Sequence, residues 1–109
     1  MTGEELLKLL RKSKGFNWNK GNINKNWVKH QIKDKESEEV FFNLPLAVSL
    51  DKKHSTKTEK RFQALGKTNQ EKKIFIVFTI REDKIRIISA RKQNQKERRR
   101  YKQYEEQKT

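Results

Sequence analysis

Residues 73–101 read KIFIVFTIREDKIRIISARKQNQKERRRY. The nearly continuous apolar run Lys73–Ile80 is typical of a central strand, and Arg81–Asp83 forms a tight connection into a second strand, Lys84–Arg91. From Asn94 to about Gln107 neither Gly nor Pro intervenes and apolar anchors are nearly missing, which predicts a mostly solvated basic helix. This stretch therefore predicts two antiparallel strands followed by a C-terminal helix.

Weaker patterns upstream supply the other elements. Leucines at helical spacing predict an amphipathic helix over Glu4–Lys14, which Gly15 ends. The remaining predicted elements are a short strand at 16–18, a helix from a cap at Asn22 to about Ile32, a helix over Glu36–Phe42 ended by Pro45, and strands over Leu46–Leu50 and Arg61–Lys67. The three strands over 61–67, 73–80 and 84–91 are expected to form an antiparallel meander. The predicted fold class is α+β, an antiparallel sheet of about four strands with helices packed on one side.

Length and composition allow one domain with one small core. The chain has 109 residues, of which 31% are hydrophobic. We expect an N-terminal helical extension over 1–15 and a single domain over 16–109. The large aromatic side chains expected in the core are those of Trp18, Trp27, Phe41, Phe42, Phe75 and Phe78.

The charge of the chain restricts its partners. Its 28 Lys and Arg against 14 Asp and Glu leave a formal charge of +14, which favours an acidic partner such as nucleic acid, a protein or an anionic membrane. Absence of cysteine excludes a disulfide framework and a thiolate metal site. Since no apolar stretch is long enough to cross a bilayer, we expect a cytoplasmic protein without a membrane partner.

Two arginines stand where a strand is predicted, and a charge there is hard to bury without a partner. Strand alternation places Arg86 on the face of Ile88 and Ala90, and Arg91 on the other face. Both arginines reach one site only if the strand bulges or ends before Arg91.

Six segments of the chain, in order, carry a family resemblance. They are Phe16-x-Trp18, Asn26 with Lys29-His30, Glu39-Val40-Phe41-Phe42, Arg61-Phe62-x-Ala64-Leu65-Gly66, Val77-Phe78-Thr79-x-Arg81, and Ile85-Arg86-Ile87-Ile88-Ser89-Ala90-Arg91 followed by Glu97-Arg98-Arg99-Arg100-Tyr101. From about Phe16 to Tyr101 the chain resembles the BrnT family, the ribonuclease toxins of bacterial type II toxin–antitoxin pairs, which have a RelE-like fold.

The resemblance implies an endoribonuclease that cleaves mRNA and stops growth. It also implies neutralisation by a BrnA-like ribbon-helix-helix antitoxin, so that the toxin meets operator DNA only through that partner. The chain departs from the family pattern at three positions: Asn19 replaces Asp, Asn22 replaces Lys and Gln31 replaces Gly. Lys25, one helical turn past Asn22, can supply the missing positive charge.

RNA cleavage through the 2'-hydroxyl needs a base, positive charge for the pentacovalent phosphate and a proton for the leaving oxygen. The two histidines lie at unlike positions and no group has metal-ligand spacing, so we expect a metal-independent, arginine-based site without a cofactor. The candidate catalytic residues are Arg61, Arg86 and Arg91, supported by Thr79, Arg81 and His30. The candidate RNA-binding residues are Lys25, Lys29, His54, Lys92, Arg98, Arg99, Arg100 and Tyr101.

Several of these candidate residues also have a structural interpretation that needs no catalytic or RNA-binding role. Arg61 fits a solvated strand position as well as a phosphate role. For His30 a half-buried structural role is favoured over catalysis, whereas His54 lies in a polar loop where it is exposed and can act as a mobile acid or base. Tyr101 and Tyr104 are candidates for stacking on bases. The alternative function is a non-catalytic basic module that binds nucleic acid or an acidic protein.

Overall fold

The computed structural model describes residues 3–107. In chain order the elements are α1 (Gly3–Arg11), α2 (Lys25–His30), α3 (Asp34–Val40), β1 (Ala47–Asp51), β2 (Arg61–Lys67), β3 (Lys73–Arg81), β4 (Lys84–Lys92) and α4 (Gln95–Gln107). The strands form one antiparallel sheet in the order β1-β2-β3-β4. The predicted α+β class, the meander and the C-terminal helix are confirmed. None of the helices in residues 3–107 is long and apolar enough to cross a membrane.

One face of the sheet carries the main core. Alternating strand positions bury their side chains there, and α1 and α3 cover them. The buried residues of this cluster are Leu6, Ile32, Val40, Phe62, Ala64, Ile74, Ile76, Phe78, Ile85, Ile87 and Ala90. Leu6 is only 2% exposed, so α1 contributes directly to this core.

The C-terminal helix lies on the opposite face, so the prediction that all helices share one side is wrong. Strand alternation puts Leu65 and Phe75 on that face, and this small apolar area is where α4 packs. Tyr101 of α4 is buried there, and its hydroxyl donates a 2.7 Å hydrogen bond to the Pro45 carbonyl. We call this whole side of the sheet the outer face. Apart from the area under α4, the outer face is not covered by a layer of helices among the described residues.

The second helix is held by amides rather than by apolar side chains. Its single buried residue is Asn26, whose Oδ1 accepts a 3.0 Å hydrogen bond from the Ala90 N–H. The predicted cap at Asn22 is wrong: α2 begins at Lys25, and the buried Asn22 amide instead donates to the Asn17 and Ile87 carbonyls. These asparagines satisfy backbone groups along the free edge of β4.

Two aromatic residues expected in the core are exposed instead. Trp27 is 39% exposed and Phe42 is 77% exposed, so both predictions are wrong. The short strand expected at 16–18 is also absent, because Phe16 forms only an isolated bridge to Ile85. After that bridge the asparagine side chains bond to the backbone and turn the chain away from the sheet.

A β-bulge in β4 decides which side chains reach the outer face. Phe78 pairs with Ile87 and Val77 pairs with Ser89, so Ile88 is an extra residue between them. The alternation therefore changes phase at Ile88, and Arg91 shares the outer face with Arg86. This is the bulge that the strand pattern required for both arginines to face the same way.

Candidate active site

Four polar side chains form one row across the outer face. Asp51 pairs with Arg61, Arg61 with Thr79, and Thr79 with Arg86 in the strand register. Directly paired residues point to the same side of a sheet, and neighbouring strands lie about 4.8 Å apart, so the row spans roughly 14 Å. We call these four residues the polar row. It brings together three of the predicted catalytic residues and adds Asp51.

Arg86 is oriented by neutral acceptors. Its Nη1 donates to Asn17 Oδ1 at 2.8 Å, and its Nη2 donates to Asn19 Oδ1 at 3.1 Å. Gly21 leaves room for this arrangement, since a Cβ there would lie 2.9 Å from Arg86 Nη2. Because amide oxygens carry no net charge, the guanidinium is held in place while its positive charge stays uncompensated.

At the centre of the row, the Arg61 side chain has no partner among the described residues, whereas the Thr79 hydroxyl is used in a hydrogen bond to the backbone. Arg61 is half-buried, and its side chain makes no hydrogen bond or ion pair with any of residues 5–107. Thr79 is buried, and its Oγ1 donates to the Lys60 carbonyl at 2.7 Å. Thr79 therefore fixes the backbone beside Arg61, and the free positive charges of the row are those of Arg61 and Arg86.

The other two predicted arginines are already paired with carboxylates. Arg81 Nη2 lies 2.7 Å from Glu59 Oε1. Arg91 donates to both Glu97 oxygens, at 2.8 and 3.0 Å, and its guanidinium lies 4.3 Å from the centre of the Phe75 ring. Arg91 lies on the same face as Arg86 but outside the polar row, close to the start of α4.

The Arg91–Glu97 pair changes the titration of the acid. Burial by itself raises the pKa of Glu97, but the hydrogen bond from Arg91, the Asn94 N–H and the charge of Arg91 outweigh it and hold that pKa below its ordinary value. A bidentate pair of this kind is among the stronger ion pairs in proteins. Here it ties the end of β4 to the first turn of α4.

A histidine is attached to the β1 end of the row. His54 lies in the turn after β1, and its Nδ1 is 2.9 Å from Asp51 Oδ2. The side chain of Asp51 is 5% exposed and that of His54 is 57% exposed. Burial raises the pKa of Asp51, but hydrogen bonds from His54 and Gln63 outweigh it and lower that pKa overall.

Asp51 is the residue of this site that sequence reasoning missed. Its signal was the spacing Asp51-x-x-His54 directly after a predicted strand. That spacing is also common in simple turns, where an aspartate accepts the N–H of a residue two or three positions later. Here the Asp51 carboxylate contacts the His54 ring through Oδ2 and also accepts the His54 backbone N–H through Oδ1, at 3.3 Å.

Six of the eight predicted RNA-binding residues fall into two exposed groups, and the other two are His54, which contacts Asp51, and Tyr101. Lys25 and Lys29 are exposed on α2, at the free edge of β4. The second group, at the end of β4 and on α4, consists of Lys92, Arg98, Arg99 and Arg100. Tyr101 is 1% exposed and cannot stack on a base, so that prediction is wrong.

The two histidines differ in what they contact. His30 is exposed at the end of α2, so the interpretation of a half-buried structural histidine is wrong, and no hydrogen bond joins its ring to residues 5–107. His54 is exposed as predicted but is anchored by Asp51. Among residues 3–107 no group of three His, Asp or Glu side chains is placed to hold a metal ion.

A groove of about 930 Å³ lies apart from the polar row. Its lining is mostly apolar and comes from α1, Phe16 and the segment 41–46. The arginines of the outer face do not contribute to it. The candidate site is thus an open, positively charged face, which suits an extended polyanion better than an enclosed small molecule.

The chain is similar to a known protein family. No curated protein matches the chain. The profile described as "Ribonuclease toxin, BrnT, of type II toxin-antitoxin system" matches residues 18–97, which is more than half of the chain and includes the whole polar row. The chain therefore belongs to the BrnT family of ribonuclease toxins of type II toxin–antitoxin systems.

Proposed function

We propose that this ribonuclease cuts RNA on its outer face, with Arg61 and Arg86 binding the scissile phosphate and without a metal ion. The observation that carries the proposal is the presence of two guanidinium groups without carboxylate partners on either side of Thr79 in one cross-strand row. A guanidinium binds two phosphate oxygens at once and stabilises the charge that grows on them during cleavage.

The exposed cations near the row supply binding rather than chemistry. Lys25 and Lys29 lie on the β4 side, and Arg98–Arg100 lie on α4. Cations so placed attract the phosphates that flank the cut, and their contribution to affinity falls steeply as salt rises. The RNA thus crosses the sheet between α2 and α4.

Neutralisation fits the same face. We assign it to a BrnA-like ribbon-helix-helix antitoxin whose acidic segment places carboxylates on Arg61 and Arg86, as Glu97 already does on Arg91. Operator DNA then meets the toxin only through this antitoxin. The activity belongs in the cytoplasm, where mRNA is found.

The test is cleavage of RNA by the purified protein in EDTA, with Arg61→Ala and Arg86→Ala beside the wild type. We expect each variant to lose about 10²-fold or more in rate, the usual cost of removing a group that stabilises transition-state charge. Full activity in both variants would remove the site, and loss of all activity in EDTA with recovery on adding Mg²⁺ would remove metal independence.

The non-catalytic alternative predicts a different result in the same assay. A basic binding module retains RNA on a filter but leaves its length unchanged with every variant. Binding without cleavage by the wild type, in the presence or absence of a divalent ion, would favour that alternative.

A further inference from the structure

We propose that Asp51 and His54 form the proton-transfer unit of this site, with His54 as the general base that takes the 2'-hydroxyl proton of the RNA. This inference rests on the proposed function of the polar row. The geometry that carries it is a short contact between a buried carboxylate and an exposed imidazole: His54 Nδ1 lies 2.9 Å from Asp51 Oδ2.

The position of the pair supports a catalytic role. Asp51 pairs directly with Arg61 in the register, so the pair lies at the β1 end of the polar row, next to a cation without a carboxylate partner. The charged group in contact with His54 is Asp51; Lys52 and Lys53 lie in the same turn, and Arg61 on β2 lies directly opposite Asp51 in the register. A phosphate bound by Arg61 would therefore bring the sugar next to the imidazole.

The orientation of the ring supports a base in particular. When Nδ1 donates its proton to the Asp51 carboxylate, the lone pair is left on Nε2. No hydrogen bond joins Nε2 to any of residues 5–107, and the side chain is 57% exposed. Asp51 is then a positioning residue, and His54 is the residue that touches the substrate.

The chemical step is a transesterification within the RNA. Nε2 of His54 takes the 2'-hydroxyl proton, the 2'-oxygen bonds to phosphorus, and the bond from phosphorus to the 5'-oxygen breaks. The 5'-oxygen takes a proton from water, and the imidazolium later returns its own to the solvent. The products are a 2',3'-cyclic phosphate and a 5'-hydroxyl. Arg61 and Arg86 stabilise the extra negative charge on the phosphorane.

A purely structural role is the competing explanation, because Asp51 Oδ1 also accepts the His54 N–H within the turn. Asp51→Asn separates the two roles. Asparagine keeps one oxygen for the turn, but its NH₂ group donates to Nδ1, which moves the ring proton to Nε2 and removes the base.

The experiment measures kcat and KM for cleavage of a short RNA by the wild type, His54→Ala, Asp51→Asn and a control on the same loop, Lys57→Ala. We expect kcat to fall by about 10² to 10⁴-fold in His54→Ala and by at least about tenfold in Asp51→Asn, with KM little changed. The control should keep its kcat. Added imidazole should restore part of the His54→Ala rate, and the restored rate should rise with pH as free imidazole loses its proton.

The possible results separate the base from the rest of the site. A wild type that cuts RNA beside an equally active His54→Ala removes the base and leaves the function of the row intact. A wild type that does not cut removes both. A loss in His54→Ala that imidazole does not restore, accompanied by weaker binding of an RNA with 2'-deoxyribose at the cut, would assign His54 to binding and overturn the proposal. If His54→Ala does not fold, His54→Gln takes its place in the same comparison, and full activity there would likewise remove the base.

Discussion

Arg86 Nη2 lies 3.1 Å from Asn19 Oδ1, and Arg86 Nη1 lies 2.8 Å from the equivalent atom of Asn17. The two amide oxygens accept one hydrogen bond from each Nη atom of the planar guanidinium. They orient the side chain across the end of the polar row without adding negative charge. The site thus combines the rigidity of a paired arginine with the full charge of a free one.

Arg86→Lys tests whether orientation matters as much as charge. An ammonium group keeps the positive charge but cannot span both amide oxygens in one plane, so we expect the cleavage rate to fall about tenfold or more, equivalent to about 1.4 kcal/mol of transition-state stabilisation. Single-turnover cleavage of a short RNA measures this. Lys84→Arg, at an exposed position of the same strand, is the control that should keep the rate. Wild-type activity in Arg86→Lys would show that charge alone is sufficient.

Tyr101→Phe tests the anchoring of α4. The substitution leaves the buried Pro45 carbonyl without its 2.7 Å hydrogen bond, and we expect the free energy of unfolding to fall by about 1 to 2 kcal/mol. Urea denaturation measures the loss. Tyr104→Phe is the matched control, since Tyr104 is 42% exposed and should change stability by less than about 0.5 kcal/mol. Weaker RNA binding by Tyr101→Phe at unchanged stability would reinstate Tyr101 as an RNA contact.

Gln31→Gly should stabilise the protein. Gln31 follows α2 with φ 60° and ψ 33°, a left-handed conformation that favours glycine. We expect a gain of about 0.5 to 1 kcal/mol, reduced by the loss of the exposed hydrogen bond from Gln31 Nε2 to the Trp27 carbonyl. Thermal unfolding measures the change. Lys29→Gly, inside the same helix, should do the opposite and lower stability by about 1 kcal/mol. A lower melting temperature for Gln31→Gly would contradict this expectation.

Stability should decline on the acid side. The pKa values of Glu36, Asp51 and Glu97 are lowered in the folded state: burial raises each one, but the hydrogen bonds and charges of their partners outweigh it. A lowered folded pKa adds stability above the unfolded value, and this stability is lost as pH falls through the folded value. The ordinary values are 4.5 for the glutamates and 3.8 for the aspartate, so we expect a constant free energy of unfolding from pH 7 to about 5 and a fall below about pH 4.5.

Glu97→Gln isolates one part of that acid dependence. The variant lacks the titrating carboxyl, so its stability should start lower at pH 7 and fall less steeply with acid than that of the wild type. Urea unfolding at several pH values gives both slopes. Equal slopes would mean that the Arg91–Glu97 pair does not contribute to the pH dependence.

The strands could be predicted from the sequence because β2 alternates between its two faces and β3 is a nearly continuous apolar run, as expected for a central strand. The placement of α2 could not. Its position depends on Asn22 and Asn26, whose amides satisfy backbone groups of β4. An asparagine in the sequence is equally compatible with a helix cap, a turn or a hydrogen bond to a distant strand. The spacing of hydrophobic residues does not distinguish these roles.

The arginines on the strands could be read from the sequence, but which of them are paired with carboxylates could not. In the sequence nothing distinguishes the four arginines Arg61, Arg81, Arg86 and Arg91 from one another. Whether the charge of each is paired depends on residues far away in the chain, such as Glu59 and Asn17. The bulge was also hidden, since the consecutive isoleucines of β4 do not show which one is extra.

The extra Ile88 makes β4 tolerant of a change in length at one point. Ile87 and Ala90 both point inward although two residues separate them, a count that an unbroken pleat forbids. A strand shortened by Ile88 alone would keep Ser89 and Arg91 outward and Ala90 inward, and would lose only the local bend. A strand of the present length without the bulge would instead turn Arg91 into the apolar interior. Loss of Ile88 would therefore shorten this strand by one residue without moving an arginine from the outer face.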